Sequence, residues 1–414
     1  MLNRWTAYAA FAAALVGVHG SAAAAVLEVG DAAPTVQQTI DKAADGDTVI
    51  VPAGVWKERI TIKRRIVLRG LPGNVIDGGK QGTTMVLESA GAIIDGIEVR
   101  ASGHNLTTLD ACLYVAKSAT GSIIRNSKFR RCAFGIWINE TTGVRIENNA
   151  VWGLPELRTA DRGNGIHLFN ASKLIVRGNT VIDARDGLYV SATEHSLIEN
   201  NHTNNLRYGI HYMYSYDNVL RGNHSHHNTA GMALMESKRL KVVANVTRDN
   251  ARYGIMFRDA EDCLIKGNIV ERNGQGLFFF SSVDNTIKRN RIAGNLIGAK
   301  VWAGSFRNTI SENAFIGNKQ QVFFVGAKDL VIGVKNAGNY WSDYVGWDQD
   351  GDGLGDRPYR MGSFVSSLTY KYPAAAVLMY SPTMELLNHM AERMPMLRTT
   401  TIVDRSPQMR IRHE

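Results

Sequence analysis

A pattern of about 22 residues recurs along most of this chain. Each repeat opens with a glycine, continues with alternating apolar residues and later reaches an asparagine. The glycines are 22 or 23 residues apart, except for one step of 30, and lie at Gly135, Gly165, Gly187, Gly209, Gly231, Gly254, Gly276 and Gly298. The asparagines keep the same register and lie at Asn149, Asn179, Asn201, Asn223, Asn245, Asn268, Asn290 and Asn313. Two independent markers in one register predict a repeat architecture, with an insertion at Leu154 to Arg162 in the long step.

The segment that follows each glycine predicts a β-strand. Ile210 and Tyr212 occupy the first and third places of one repeat, and Ile255 and Phe257 occupy the same places of another. This period of two is typical of strands, whereas a helical repeat needs a period of 3.6. Asparagine tolerates left-handed backbone geometry and can bond its equivalent in the next coil, so we expect an asparagine ladder at one turn. The sequence therefore predicts an all-β, right-handed parallel β-helix.

Both ends of the repeat region differ from its middle. Thr35 to Ala44 predicts a short amphipathic helix that covers the open N-terminal end of the solenoid. The pattern fades after Phe324, and Pro382 to Met394 predicts a second helix. We therefore assign residues 26–372 to the β-helix and residues 373–414 to a partly helical, methionine-rich docking tail.

The first 25 residues are typical of a cleavable secretory signal peptide. Arg4 precedes an apolar run from Ala7 to Val18, and the small residues Ser21 to Ala25 offer cleavage sites. The alternative is an N-terminal membrane anchor, but the run is short for a span of about 20 residues. We expect the mature protein outside the cytoplasm, in the periplasm of a Gram-negative source.

Composition agrees with many short strands, since 40 glycines stand against nine prolines. The formal net charge of +9 suits an anionic partner, yet the basic residues are spread along the chain. A solvated surface is therefore the favoured interpretation, and export argues against a nucleic-acid partner.

The three cysteines do not make a disulfide scaffold. Cys112 and Cys132 lie about one repeat apart and can meet in space. Buried thiols are the favoured interpretation, and a disulfide is the alternative.

Residues in the second and fourth places after each glycine are predicted to point outward and to stack in two ladders about 4.8 Å per rung. Across three coils these ladders carry His211, Met213, Met235 and Met256. Thioethers and imidazole together suit Cu(I), so we predict a transient Cu(I) site on this face. The alternative is an apolar patch covered by a loop, by the tail or by a partner. The flanking side chains predicted to bind a partner are Phe278, Phe280 and Trp302.

A second group of histidines also follows the repeat. His202 and His224 occupy equivalent places on adjacent coils, and His226 and His227 come just after. Ordinary surface histidines are the favoured interpretation, with an accessory metal contact as the alternative.

An acidic segment follows the repeats. Asp348, Asp350, Asp352 and Asp356 match ligand positions of a calcium loop, but Tyr359 replaces the glutamate that closes such loops. A weak structural Ca²⁺ site and a hydrogen-bonded loop without metal both remain open.

Two segments carry a resemblance to a known family. GNYWSDYVGWDQDGDGLGDRPY at 338–359 and RYGIHYMYSYDN at 207–218 closely resemble the NosD family of periplasmic proteins for nitrous oxide reductase maturation. This family lies within the wider group of carbohydrate-binding and sugar-hydrolase β-helix domains. The resemblance extends to about Tyr372 and assigns no ligand positions.

The resemblance implies a non-enzymatic subunit that works with an ABC transporter. Such a subunit helps deliver copper, with sulfur as a second candidate cargo, to the copper-sulfide centre of nitrous oxide reductase. The implied partners are the transporter's membrane subunit, the reductase and, as a further candidate, a copper chaperone. The tail residues Met384, Met390 and Met394 are predicted to dock on a partner, since flexible methionine surfaces suit such contacts.

Two other functions compete with copper delivery. A polysaccharide lyase or epimerase acting on uronic acid polymers needs a cation for the uronate carboxylate and a base for the C5 proton. On the outward ladders, Arg258 and Lys300 are the candidate cations, and His211 and Tyr189 are the candidate bases, with no carboxylate cluster beside them. A passive protein-docking scaffold is the other alternative. We predict that the chain is not an enzyme and has no catalytic residues.

Overall fold

In the computed structural model, residues 24–30, 33–302, 304–325, 329–361, 368, 372–378, 381–394 and 402–412 are described. Over these residues the chain forms a solenoid of three parallel sheets, with 14, 13 and 12 strands, and one antiparallel pair. The predicted parallel β-helix is confirmed. The predicted signal peptide, residues 1–25, lies outside the described residues except for Ala24 and Ala25. None of the described helices is long and apolar enough to span a bilayer.

Sheet 1 contains one strand from each of 14 coils. Its strands are β1 (Val26–Glu28), β2 (Thr48–Val51), β5 (Val67–Gly70), β8 (Ile93–Asp95), β11 (Ile123–Arg125), β14 (Arg145–Glu147), β17 (Ile175–Arg177), β20 (Leu197–Glu199), β23 (Val219–Arg221), β26 (Lys241–Val243), β29 (Leu264–Lys266), β32 (Thr286–Lys288), β35 (Thr309–Ser311) and β38 (Val331–Ile332).

Sheet 2 contains 13 strands in the described part of the chain. These are β3 (Gly54–Lys57), β6 (Asn74–Asp77), β9 (Glu98–Arg100), β12 (Lys128–Arg130), β15 (Ala150–Trp152), β18 (Thr180–Ile182), β21 (His202–Asn204), β24 (His224–His226), β27 (Val246–Arg248), β30 (Ile269–Glu271), β33 (Arg291–Ala293), β36 (Ala314–Ile316) and β39 (Tyr340–Trp341).

Sheet 3 holds the strands that follow the repeated glycines and contains the predicted copper ligands. Its 12 described strands are β4 (Ile60–Ile62), β7 (Met85–Leu87), β10 (Ala111–Val115), β13 (Phe134–Asn139), β16 (Ile166–Phe169), β19 (Asp186–Ser191), β22 (Tyr208–Met213), β25 (Ala230–Met235), β28 (Tyr253–Arg258), β31 (Gln275–Phe280), β34 (Ile297–Val301) and β37 (Gln320–Phe324).

The interior is filled as the alternation predicts. Ile210, Tyr212, Ile255 and Phe257 are fully buried. Phe257 stacks on Phe279 of the next coil, with ring centroids 4.5 Å apart. Burial of such apolar surface in every coil is the main stabilising contribution, at about 25 cal/mol per Å².

The predicted asparagine ladder is present at one turn of every regular coil. The backbone N and Nδ2 of Asn201 donate to Oδ1 of Asn223, at 3.0 and 2.9 Å. Asn223 donates to Asn245 in the same way, and its Nδ2 also donates to the Ile198 carbonyl. A second ladder, which the sequence analysis missed, runs through Asn228, Asn250, Asn273, Asn295 and Asn318.

A helix covers the N-terminal end, as predicted. Helix α1 (Val36–Lys42) begins after Thr35, whose side chain accepts a hydrogen bond from the backbone N–H of Gln38. Its residues Val36 and Ile40 are buried against the first coils. The long insertion contains a 3-10 helix at Thr159–Asp161.

The tail does not form a separate unit throughout. Its described helices are a 3-10 helix at Pro373–Leu378 and α2 (Pro382–Arg393), close to the predicted second helix. Strand β41 (Ile402–Asp404) then pairs antiparallel with β40 (Tyr359–Met361). Residues 402–404 of the predicted docking tail thus pair with a strand near the end of the solenoid, and the docking role of residues 373–414 stays a prediction.

The structure corrects the favoured interpretation of the cysteines as buried thiols. Cys112 and Cys132 form a disulfide, because β10 and the turn after β12 bring them together on adjacent sides of one coil. Cys263 is free and buried, and burial raises the pKa of its thiol to about 12.

Candidate functional site

The predicted copper ligands lie on three adjacent strands of sheet 3. Met213 of β22 pairs with Met235 of β25, and His211 pairs with Ala233, which pairs with Met256 of β28. The two predicted ladders are therefore in register, as expected. We call His211, Met213, Met235 and Met256 the His/Met cluster. Ala233 has the smallest side chain of its ladder, so it leaves room between His211 and Met256.

The side chains of the His/Met cluster lie on the outward face, as predicted, but little of their surface is exposed. His211, Met235 and Met256 are only 6, 8 and 6% exposed, while Met213 is partly exposed. The cover comes from Tyr208 and Tyr253, which pack on the methionines from the starts of β22 and β28. These side chains belong to the same sheet, and neither a loop nor the tail is needed to cover the cluster.

Each covering tyrosine is held in place by contacts along the sheet. The ring of Tyr208 packs against His211, with centroids 4.9 Å apart, and the Arg207 guanidinium lies 4.6 Å above Tyr208. Tyr253 stacks on Phe278 at 5.0 Å, and Arg252 donates a hydrogen bond to its hydroxyl at 3.0 Å. The cluster is therefore shielded from water by two aromatic rings.

His211 is oriented by a buried carboxylate. Its Nδ1 donates to Oδ2 of Asp186 at 2.9 Å, and Asp186 also receives Nε and Nη2 of Arg207 at 2.8 and 2.6 Å. Burial raises the pKa of Asp186, but the hydrogen bonds from His211 and Arg207 outweigh it and hold this pKa below its usual value. The Asp186 carboxylate therefore stays ionised although it is buried on this face of the sheet.

The second ring nitrogen of His211, Nε2, is the one that remains available for a ligand. Nε2 is buried and has no hydrogen-bond partner among the described residues. When Nδ1 carries the proton and donates it to a carboxylate, Nε2 keeps its lone pair, which is the usual state of a metal-binding histidine.

Asp186 is not predicted from the sequence, because strict alternation turns it inward. The residue before each repeated glycine in fact faces outward, as Tyr208 does. A Cβ at Gly209 would lie 1.9 Å from Oγ of Ser225 and 2.5 Å from Oγ1 of Thr203, both buried inside the solenoid. The glycine thus faces the interior together with the residue after it, and the alternation shifts by one place there. Comparing the residues that precede the glycines would have revealed Asp186.

A row of rings in tilted and edge-on contact, here called the aromatic stack, leads along sheet 3 to the His/Met cluster. The ring of His167 lies 3.8 Å from Trp137 and 4.5 Å from Tyr189, and Tyr189 lies 4.7 Å from His211, measured between centroids. Burial lowers the pKa of His167 to about 3. His167 is therefore a neutral ring at physiological pH.

The residues predicted to flank the cluster form an aromatic surface. Phe280 is 37% exposed, and Phe278 and Trp302 are partly buried. Lys300 lies over two of these rings, 4.5 Å from the centroid of Trp302 and 5.8 Å from that of Phe278. Burial lowers the pKa of Lys300.

The three methionines of the tail helix differ in accessibility. Met390 and Met394 are 42 and 45% exposed, whereas Met384 is only 4% exposed. Met384 lies in the first turn of α2, where its backbone N–H donates to Oγ of Ser381. Met384 is therefore little accessible in this structure, and the predicted partner contact of the three methionines stays a prediction.

The acidic loop brings together three of its four predicted calcium ligands. Carboxylate oxygens of Asp348, Asp350 and Asp352 lie within 4.8 Å of one another. Asp356 is outside this group, and its Oδ2 accepts from the backbone N of Gln349 at 2.6 Å. Backbone N–H groups also donate to the three grouped carboxylates. The loop thus has the hydrogen bonds of a metal-free turn, and calcium binding stays a prediction.

The second group of histidines is gathered on sheet 2. We call His202, His224, His226 and His227 the histidine group. Its ring centroids are 4.9 Å apart for His202 and His224, 6.2 Å for His202 and His226, and 5.0 Å for His226 and His227. Partial burial, together with neighbouring cations and histidines, lowers the pKa values of His224 and His226.

Comparison with known proteins identifies the family. A family model described as periplasmic copper-binding protein (NosD) matches residues 154–346, and one described as right handed beta helix region matches residues 71–224. Over 383 residues the chain is 37% identical to the probable ABC transporter binding protein NosD of Pseudomonas aeruginosa, covering 89% of this chain and 90% of that protein. The chain belongs to the NosD family.

A second NosD relative agrees. The probable ABC transporter binding protein NosD of Stutzerimonas stutzeri is 35% identical over 396 residues, which cover 92% of this chain and 91% of that protein. The resemblance read from 207–218 and 338–359 is thereby confirmed. The NosD family is described as periplasmic and copper-binding. Its members are named as binding proteins, which supports the prediction that this chain is not an enzyme.

Solved structures share the fold at low sequence identity. A family 28 exopolygalacturonase of Yersinia enterocolitica is 13% identical with a TM-score of 0.56, covering 75% of this chain and 79% of that one. The A-module of the mannuronan C-5 epimerase AlgE6 of Azotobacter vinelandii is 14% identical with a TM-score of 0.51, covering 72% of this chain and 93% of that one. Both likenesses concern the solenoid fold alone.

Proposed function

We propose that this chain is a periplasmic accessory protein of an ABC transporter that holds Cu(I) transiently at the His/Met cluster. In this role it helps deliver copper for assembly of the copper-sulfide centre of nitrous oxide reductase. The observation that carries the proposal is the buried Nε2 of His211, which has no partner among the described residues and lies on the same sheet face as three thioethers.

The donor set supports Cu(I) rather than a harder ion. Thioether and imidazole are soft, neutral ligands, and the one buried carboxylate beside them, Asp186, is already engaged by Arg207 and His211. Asp186 acts here as a positioning residue that fixes the ring of His211. A few neutral ligands bind less tightly than thiolates, which suits a protein that must release its copper.

Access to the cluster requires movement of the aromatic cover. Tyr208 and Tyr253 shield the methionines, while Met213 is partly exposed at the edge. We propose that copper enters and leaves at Met213, and that docking of a partner displaces a tyrosine. Shielding then keeps bound Cu(I) away from water and oxidants between the two events.

Two surfaces are proposed for partners. The exposed rings at Phe280 and its neighbours lie beside the His/Met cluster and suit the reductase or a copper chaperone. Met390 of α2 and Met394, which follows the last residue of that helix, suit the membrane subunit of the transporter, in line with relatives that are named as ABC transporter binding proteins. Sulfur remains the second candidate cargo of the same transporter.

Cu(I) titration of the mature protein against a competing chelator tests the site. The triple variant Met213→Leu, Met235→Leu and Met256→Leu keeps side-chain volume but removes the sulfurs. We expect its Kd for Cu(I) to rise at least 100-fold. Met232→Leu is the matched control, since Met232 lies on β25 but faces the interior and is fully buried. An unchanged Kd in the triple variant would exclude this cluster as the copper site.

Asp186→Asn tests the positioning role separately. Loss of the carboxylate is expected to weaken Cu(I) binding about 10- to 100-fold. Losses of this size are typical when a metal-binding histidine loses the group that its other ring nitrogen bonds. Asp217→Asn is the control, because Asp217 forms the same two-bond pair with Arg239 on the exposed surface. The copper content of co-expressed reductase tests delivery itself. Full maturation of the reductase with the triple variant would contradict the delivery role. It would not contradict copper binding by the His/Met cluster, which the titration tests.

A further inference from the structure

We propose that the histidine group is a second metal site, which binds a borderline divalent ion, Cu(II) or Zn(II). The proposal does not rest on the proposed function of the His/Met cluster. The two groups lie on different sheets, since the histidine group is built on β21 and β24 of sheet 2.

The register of the solenoid gathers these rings on one outward face. His202 pairs with His224, and Asn204 pairs with His226 on the next strand. The residues between them, Thr203 and Ser225, are buried inside, so the histidines project outward. His227 follows β24 at the turn, with a positive φ of 55° that directs its ring back toward His226. Four imidazoles thus belong to two adjacent coils.

The spacing of the rings is close to that of imidazoles around a single ion. With a metal–nitrogen bond of about 2.0 Å, two bound rings have centroids about 4.5 to 6.3 Å apart, for ligand angles from about 90° to about 180°. The three measured separations of 4.9, 5.0 and 6.2 Å fall in or near this range. In the described structure no three of these histidines have ring nitrogens that all lie within 4.8 Å of one another, so a bound ion requires the side chains to rotate toward a shared point.

One pair of nitrogens already has a ligand-like separation. Nδ1 of His226 and Nδ1 of His227 share a hydrogen bond at 2.8 Å, which a metal ion replaces once the donor ring carries its proton on Nε2. Two nitrogens at right angles around a metal, with bonds of about 2.0 Å, lie about 2.8 Å apart, as in the tetragonal geometry of Cu(II). His202 and His224 offer the remaining nitrogen ligands.

The surrounding charges set the kind of ion and the strength of binding. The group contains imidazoles and no thioether, which favours Cu(II) or Zn(II) over Cu(I). The carboxylate of Asp249, which acts electrostatically on His226, is already held by Arg272 at 2.7 and 2.9 Å. Arg248 is the neighbour of His226 on the next strand, and its positive charge opposes a cation. Binding is therefore weaker than at a site with carboxylate ligands.

Zn(II) titration calorimetry and Cu(II) paramagnetic resonance of the tag-free mature chain test the proposal. The double variant His226→Gln and His227→Asn removes the closest nitrogen pair, and asparagine tolerates the positive φ at 227. We expect the Kd for Zn(II) to rise at least 30-fold. His195→Asn is the control, because His195 is an exposed histidine with a similar φ of 52° outside the group. Arg248→Gln is expected to tighten binding several-fold.

The spectroscopic arm keeps the test informative if the double variant folds poorly. The Cu(II) spectrum of the wild type should show coupling to at least three nitrogens. Coupling to fewer than three, or an unchanged Zn(II) affinity in a folded double variant, would overturn the proposal. The methionine triple variant should retain the Zn(II) site, so that failure of the His/Met cluster and failure of the histidine group are distinguishable.

Discussion

At the scale of single residues, the aromatic stack beside the His/Met cluster contains a histidine that folding keeps neutral. His167 is packed between Trp137 and Tyr189, and burial lowers its pKa from the usual 6.5 to about 3. The unfolded chain therefore binds a proton at this ring below pH 6.5, whereas the folded chain does not until about pH 3. Stability from this group is present above the unfolded pKa and is lost as the pH falls toward the folded pKa.

We predict that His167→Phe reduces the acid sensitivity of the protein while it keeps a ring in the stack. Between pH 7 and pH 5 the wild type should lose about 2 kcal/mol more free energy of unfolding than the variant does. Urea unfolding at both pH values measures this difference. His195→Asn, at an exposed position, should leave the wild-type pH dependence unchanged, and equal slopes for His167→Phe and wild type would contradict the buried neutral ring.

At the scale of elements, the asparagine ladder holds each coil at its turn. Asn223 accepts two hydrogen bonds from Asn201 and donates to Asn245 and to the Ile198 carbonyl, all in the buried interior. Asparagine is suited to this position because its amide both donates and accepts, so every rung bonds the rungs on both sides. The preference for asparagine at this turn thus produces hydrogen bonds between neighbouring coils.

We predict that Asn223→Ala lowers the free energy of unfolding by about 2–4 kcal/mol, because buried partners in two adjacent coils lose their hydrogen bonds. Chemical denaturation followed by circular dichroism measures the change. Asn204→Ala is the control, since Asn204 lies on the outward side of the neighbouring β21, and it should change stability by about 0.5 kcal/mol or less. A loss at Asn223 no larger than at Asn204 would show that the ladder contributes little.

At the scale of the whole molecule, the chain returns to close the open end of its own ladder. Oδ2 of Asp404 accepts from the backbone N of Asn339 at 2.8 Å and from Nε1 of Trp341 at 3.1 Å. Asp404 thus replaces the asparagine that a further coil would supply. Burial raises the pKa of its carboxyl, although hydrogen bonds from Asn339, Trp341 and Ser406 oppose the shift.

We predict that Asp404→Ala destabilises the C-terminal coils by about 1–3 kcal/mol, because buried donors at the end of the ladder lose their acceptor. A carboxyl with a raised folded pKa stabilises most below its unfolded value of 3.8 and less as the pH rises through the folded value. The difference from wild type should therefore be larger at pH 4 than at pH 7. Hydrogen exchange of β36 and β39 measures the effect. Asp259→Asn is the control, because Asp259 forms an exposed ion pair and asparagine tolerates its positive φ of 50°. Unchanged exchange in Asp404→Ala would contradict the closure.

The sequence by itself determined the repeat, the register of its coils and which side chains share a ladder. Period-two alternation and evenly spaced glycines and asparagines are local signals, and stacking copies them from coil to coil. For this reason the positions of His211, Met213, Met235 and Met256 on adjacent strands were predictable.

Only the tertiary structure decided how deeply that cluster is covered and what orients it. The shift of alternation at the glycines places Asp186 and Tyr208 on the outward face of sheet 3. No local periodicity in the sequence predicts this shift. The Cys112–Cys132 disulfide and the return of Asp404 to Asn339 also depend on chain segments that meet only in space. Contacts of this kind depend on where the backbone bends and where the chain ends, which a repeating pattern does not encode.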